Sequence, residues 1–217
     1  MKKNLIFDLD GTLWDATEQI AAAWENEGKV FFGPSYSISV LKVKEEMGKT
    51  MDVIAKDISP LNTNELDVVK FGKACFEAEN AYLSIHQGKL YGEEIETLKK
   101  LKTVGFDLFI VSNCQKGYIE NYLKIIDPCM FKSFLCYGDT NASKDVTIKK
   151  LMDKFGLEDA IYVGDTYKDE ESSHKAGIKF IHASYGFGKS INPEGVIASF
   201  PELVEVALNL YNIYYKK

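Results

Sequence analysis

Five short, nearly continuous apolar runs, at residues 4–8, 106–112, 133–137, 160–164 and 179–183, alternate with amphipathic stretches along most of the chain. Runs of this length, rich in branched and aromatic side chains, suit parallel strands covered on both faces. Between them, residues 93–104 place Ile95, Leu98, Leu101 and Val104 on one face, with Gly105 positioned to cap the C-terminal end. Residues 118–126 and 145–155 carry similar patterns, the second closing at Gly156. Residues 201–214 read as a last helix with Pro201 in its first turn. Such alternation predicts an α/β fold, a doubly wound parallel sheet whose chemistry sits at the carboxyl ends of the strands.

One segment breaks the rhythm. Residues 15–88 contain no convincing strand and instead show helical patterns, interrupted near Gly33-Pro34-Ser35 and Ser59-Pro60. Asp15-Ala16-Thr17-Glu18 reads as a capping box ahead of Ile20, Ala23 and Trp24. The division expected is an α/β core from residues 1–14 and 89–217, with a small helical domain inserted at 15–88. No internal repeat or low-complexity tract interrupts either part.

The strand ends carry the chemistry. The first run stops abruptly at Asp8-Leu9-Asp10-Gly11-Thr12. Carboxylates at the mouth of a buried strand are costly to desolvate unless something cationic compensates them. A divalent metal ion is the natural partner, and Asp8 or Asp10 can then serve as nucleophile or as acid and base. The second run ends in Ile110-Val111-Ser112-Asn113, where a small hydroxyl and free backbone amides suit an anion. The fourth ends in Gly164-Asp165, with Asp169 four residues on, a spacing that a helical turn brings to one side for a hard cation. Tyr137-Gly138-Asp139-Thr140 looks similar but has serine at position 143, so Asp139 is read as loop structure. Gly48-Lys49-Thr50 lacks the leading glycine of a nucleotide-binding loop, with Val43 in its place, which leaves Lys49 as a candidate substrate contact from the insert.

Composition then narrows the ligand. All 26 basic residues are lysine, so no guanidinium clamp on phosphate is available, and any side-chain cation on a phosphate must be lysine or metal. A net charge of −6 argues against nucleic acid or an anionic membrane as partner. No run approaches the roughly 20 apolar residues of a membrane span, and the acids follow the first lysines too closely for a secretory signal. Cys75, Cys114, Cys129 and Cys136 form no CxxC pair, and only His86, His174 and His182 could assist them. Reduced thiols in a soluble, cytoplasmic protein are therefore expected, with no structural zinc and no catalytic part for Cys114.

In this order and context the motifs resemble those of the haloacid dehalogenase superfamily, in its phosphatase branch, where the first signature has the form DxDGT. The resemblance spans nearly the whole chain and implies a Rossmann-like core with a helical cap between the first two motifs. It adds Lys144, in Ser143-Lys144-Asp145, as the lysine of the third motif, with Lys149 as the alternative. It implies a magnesium-dependent phosphatase in which Asp8 attacks phosphorus and becomes an aspartyl-phosphate while Asp10 acts as acid and then base. Asp8, Asp165 and the Asp10 carbonyl would hold magnesium, with Asp169 as a further ligand or as support for the others, and Thr12, Ser112, Asn113 and Lys144 would serve the phosphate, Thr12 by orienting the loop. Phosphoglycolate phosphatases are the nearest general likeness, with a small phosphorylated metabolite as partner and a monomer or homodimer as the assembly. A sugar phosphomutase or a non-catalytic phosphate binder on the same scaffold are the alternatives. A phospho-accepting signalling domain is disfavoured by the insert, and a dehalogenase by Asp10. The cap would open and close on hinges near residues 14–16 and 87–92.

Overall fold

The computed structural model describes residues 3–215. Strand β1 (Lys3–Phe7) forms the expected first run and stops one residue short of Asp8. After the first motif come β2 (Trp14–Asp15) and the helical insert: α1 (Thr17–Phe32), α2 (Val40–Glu46), α3 (Met51–Ile58) and α4 (Glu65–Leu83). The core resumes with β3 (Lys89–Leu90), α5 (Glu94–Thr103), β4 (Phe106–Ser112), α6 (Tyr118–Leu123) and β5 (Ser133–Cys136). It continues through α7 (Tyr137–Thr140), α8 (Lys144–Phe155), β6 (Ile161–Gly164), α9 (Tyr167–Ala176), β7 (Lys179–Ala183) and β8 (Gly195–Ile197), and closes with α10 (Leu203–Tyr214). Among the described residues no helix is long and apolar enough to cross a membrane.

Six strands make one parallel sheet in the order β5-β4-β1-β6-β7-β8. β1 is central, paired with β4 from Lys3↔Phe106 and with β6 from Leu5↔Ile161. The two-residue side-chain period splits the strands between two apolar layers. Leu5, Phe7, Leu108, Ile110, Ile161 and Val163 pack into the larger layer, which runs on into the insert through Trp14, Ile20 and Trp24. Ile6, Phe109, Val111 and Tyr162 pack on the other side against Ile148 and Leu151 of α8. The doubly wound sheet is thus built as its sequence pattern implies.

Several details depart from expectation. Asp15 does not form a capping box with Glu18; its Oδ1 accepts the Thr17 N–H at 2.9 Å from just outside the helix, and Glu18 reaches Lys89 instead. Asp139 lies in a single helical turn rather than a loop, where its carboxylate accepts the Cys136 N–H. Pro201 belongs to a short 3-10 turn that leads into α10. The chain enters and leaves the insert on a two-residue antiparallel ribbon, Trp14↔Leu90 and Asp15↔Lys89, which no apolar run announced. At the start of α5, Glu94 is buried, accepting the Tyr122 hydroxyl at 2.6 Å and the Tyr91 N–H at 3.3 Å. Burial pushes it up to about 8.

Candidate active site

The carboxyl end of β1 delivers Asp8 into the sheet's middle, where its own N–H still donates to Val163 at 2.8 Å as if the ladder continued. At the end of β6, the turn into α9 is a capping box. The Thr166 N–H and hydroxyl donate to Asp169 Oδ2, and the Asp169 N–H donates back to the hydroxyl. That turn leaves Asp169 Oδ1 to face Lys144, at the first position of α8. Lys144 Nζ also donates to Asp8 Oδ1 at 2.9 Å, so one buried ammonium bridges acids from two separate motifs. Lys149, the alternative, is exposed.

Asp8, Asp165 and Asp169 each offer an oxygen within 4.8 Å of the others, and all three are buried. One lysine against three carboxylates leaves negative charge out of water, which is expensive unless a cation joins it. Asp165 Oδ2 accepts the Phe187 N–H at 2.7 Å, while Oδ1 is buried with no hydrogen-bond partner among the described residues. Oxygen-only donors around an orphaned carboxylate atom fit a hard divalent ion such as magnesium.

The titration of the acids follows from the same geometry. Burial raises Asp8 to about 6, opposed by Lys144 and reinforced by Asp169. Burial and the neighbouring charges of Asp169 and Asp8 hold Asp165 well above the usual carboxylate range. Burial opposes the charge on Lys144, yet Asp169 and Asp8 outweigh it and keep the ammonium protonated. Asp10 is raised to about 7, by burial first, against the Tyr118 hydrogen bond and with Asp8 adding. Its Oδ1 accepts the Tyr118 hydroxyl at 2.7 Å and the Trp14 indole N–H at 3.0 Å. Oδ2 accepts no hydrogen bond among the described residues. Trp14 is fully buried, edge-on to Tyr118 and Tyr122, so it holds Asp10 rather than standing at an entrance.

Asp8 and Asp10 open onto a cavity of about 40 Å³ between the strand ends and the insert. Ser112, Asn113, Cys114 and Tyr118 border it from the core, and Trp24, Gly48, Lys49 and Glu79 from the insert. The Asn113 side-chain amide donates to the Gly48 carbonyl at 2.8 Å, tying the second motif to the insert. Lys49 donates to Glu46 at 2.7 Å and Asp57 at 2.8 Å. Burial pushes the Cys114 thiol far up, which keeps it protonated and a poor nucleophile.

Thr12 differs from its expected part. It is fully buried, its hydroxyl has no partner among the described residues, and it does not border the cavity. The turn at Gly11, with φ +78, carries Thr12 into the interior, where its carbonyl accepts the Tyr185 hydroxyl at 2.8 Å. The segment after β7 was missed entirely. A Cβ at Gly186 would stand 2.3 Å from Asp165 Cβ and from the Gly11 carbonyl oxygen, so only glycine lets this loop close over the acid. Tyr185-Gly186-Phe187-Gly188, directly behind a strand end, was the available signal. Glu79 was also missed; nothing around it on α4 marks it as buried.

A family model described as haloacid dehalogenase-like hydrolase matches residues 5–183. The phosphoglycolate phosphatase of Aquifex aeolicus is 29% identical over 212 residues, covering 94% of this chain and 96% of its own length. That of Vibrio parahaemolyticus is 27% identical over 219 residues, covering 94% and 95%. A crystal structure of a predicted phosphoglycolate phosphatase from Haemophilus somnus superimposes with a TM-score of 0.83 at 23% identity, over 94% of this chain and 97% of that one. The last likeness shows a shared fold.

Proposed function

The chain belongs to the haloacid dehalogenase-like hydrolases, and from that premise we propose a phosphatase that cleaves a small phosphate monoester through a phosphorylated Asp8. The observation that carries this reading is the meeting of Asp8, Lys144, Asp165 and Asp169, from three separate strand-end segments, beside a cavity that Asp10 also borders. The resemblance to phosphoglycolate phosphatases extends over nearly the whole length of chain and relatives. No observation favours a phosphomutase.

Asp8 attacks phosphorus while the bond to the leaving oxygen breaks, and Asp10 hands that oxygen a proton. Asp10 then takes a proton from the water that displaces phosphate from Asp8. A group near 7 suits both transfers, since neither protonation state is far out of reach. Trp14 and Tyr118 occupy Oδ1 and leave Oδ2 to the leaving group. Lys144 fixes the Asp8 carboxylate and offsets its charge, while Ser112 and the Asn113 amide receive phosphoryl oxygens. A magnesium ion held by Asp8, Asp165, Asp169 and the Asp10 carbonyl would supply positive charge to the phosphoryl group. The insert acts as a cap that excludes water from the first step, hinged at the ribbon of β2 and β3. Lys49 shapes the cap side of the cavity, and the enzyme acts on its metabolite in the cytoplasm.

The test is magnesium-dependent phosphate release from phosphoglycolate and a generic aryl phosphate. Asp8→Asn is expected to lose at least about 10³-fold in turnover, since it removes the nucleophile itself, and chelation of magnesium to silence the wild type. Turnover that survives in Asp8→Asn would overturn the mechanism.

A further inference from the structure

The cap wall carries a buried acid that the hydrolytic steps leave unused. Glu79, on α4, is 4% exposed and borders the cavity together with Asp10, Ser112 and Tyr118. Its Oε2 accepts the Trp24 indole N–H at 2.7 Å. Among the described residues no lysine or histidine pairs with it, and Oε1 accepts no hydrogen bond. Around it the wall is apolar: Ile20, Trp24, Met51 and Ile54.

The one cation of the cap that borders this cavity is Lys49, and its ammonium is already shared by Glu46 and Asp57. No arginine exists anywhere in the chain. A leaving group that carries a carboxylate would therefore enter beside Glu79 with no free cation on this wall to receive its charge. A carboxylate taken out of water without a cationic partner is disfavoured. An ammonium reverses the sign, giving the buried carboxylate a partner and an apolar, aromatic surround of the kind that organic cations favour. Asp10 locates the leaving oxygen, and Glu79 borders the same small cavity, so the two acids address the same end of the substrate.

Resting on the phosphatase reading above, we propose that Glu79 sets the leaving-group preference. The enzyme selects phosphate monoesters of amino alcohols over monoesters whose leaving group carries a carboxylate.

The experiment compares kcat/KM of the full-length, magnesium-loaded protein for phosphoethanolamine, ethyl phosphate and phosphoglycolate, three esters of similar size that differ in leaving-group charge. The wild type is expected to rank them in that order, with at least about tenfold between the first and last. Glu79→Gln keeps the shape and the acceptor for Trp24 but removes the charge. It should lower the ratio of phosphoethanolamine to ethyl phosphate by about tenfold or more. A wild type that prefers phosphoglycolate, or a ratio unmoved in Glu79→Gln, overturns the inference and leaves the phosphatase reading standing. Failure to turn over any of the three overturns both. Should the variant not fold, the wild-type ranking decides alone.

Discussion

The strand-end cluster and the cap wall both bury carboxyl groups, and they settle the electrostatic cost in opposite ways. At the strand ends, two of three clustered aspartates share one lysine, and backbone turns hold the acids close enough for their charges to act on one another. On the cap, Glu79 has a single indole N–H and no cation, and burial, opposed by Trp24 and reinforced by Asp10, pushes it up to about 8. The first arrangement holds more acid than its lysine can neutralise, which suits the magnesium ion and phosphoryl group proposed above. The second stays close to neutral until a ligand changes its surroundings. On the proposed reading, the chemistry common to every substrate would be anchored on the sheet, and selection among substrates would rest on helices that only partly share its core.

The sharpest way to break this contrast is to remove Lys144. Lys144→Ala strands Asp8 and Asp169, and unfolding in denaturant without added metal should show a loss of about 3–5 kcal/mol, the usual cost of breaking a buried ion pair. Added magnesium should recover part of that loss. An unchanged midpoint would mean that the cluster is solvated and that the contrast is false. A smaller effect is expected on the cap, where Trp24→Phe keeps a ring but deprives Glu79 of its donor. About 1–3 kcal/mol should be lost there, and a larger loss than for Lys144→Ala would invert the comparison.

The smallest effect concerns Glu94, a buried acid outside both clusters whose partners are the Tyr122 hydroxyl and the Tyr91 N–H. In the unfolded chain it loses its proton near 4.5, whereas the folded state holds it until about 8. Over that window the folded state binds the extra proton, so this contribution to stability is whole below about 4.5 and falls as pH rises to about 8. Glu94→Gln should flatten the decline of Tm across this range, and a slope identical to wild type would remove Glu94 as a source of it.

How far the molecule could be read beforehand follows the same division. Asp8, Asp10, Asp165 and Asp169 each stand within a few residues of the strand that positions them, so short motifs expose them. The five expected strands carry their own apolar runs, but β8 has three residues with Val196 half exposed and no run to find. The ribbon of β2 and β3 depends on pairing across the entire insert. Glu79 is buried among residues of other helices, Trp24 among them, and no local pattern encodes that. Thr12 belongs to the first motif but does not border the cavity, because the turn at Gly11 carries it into the interior, a placement that motif spacing does not encode.

The central position of β1 has a consequence in time. Its neighbours begin at Phe106 and Ile161, so this strand is made long before either of its partners. The helices between residues 17 and 83 need only one another for much of their packing and are complete long before β6 exists. During synthesis Leu5, Ile6 and Phe7 wait uncovered while the insert takes shape, an interval in which a chain of such non-local pairing is most open to aggregation. The cluster around Asp8 is thus complete only after the chain has passed Asp169.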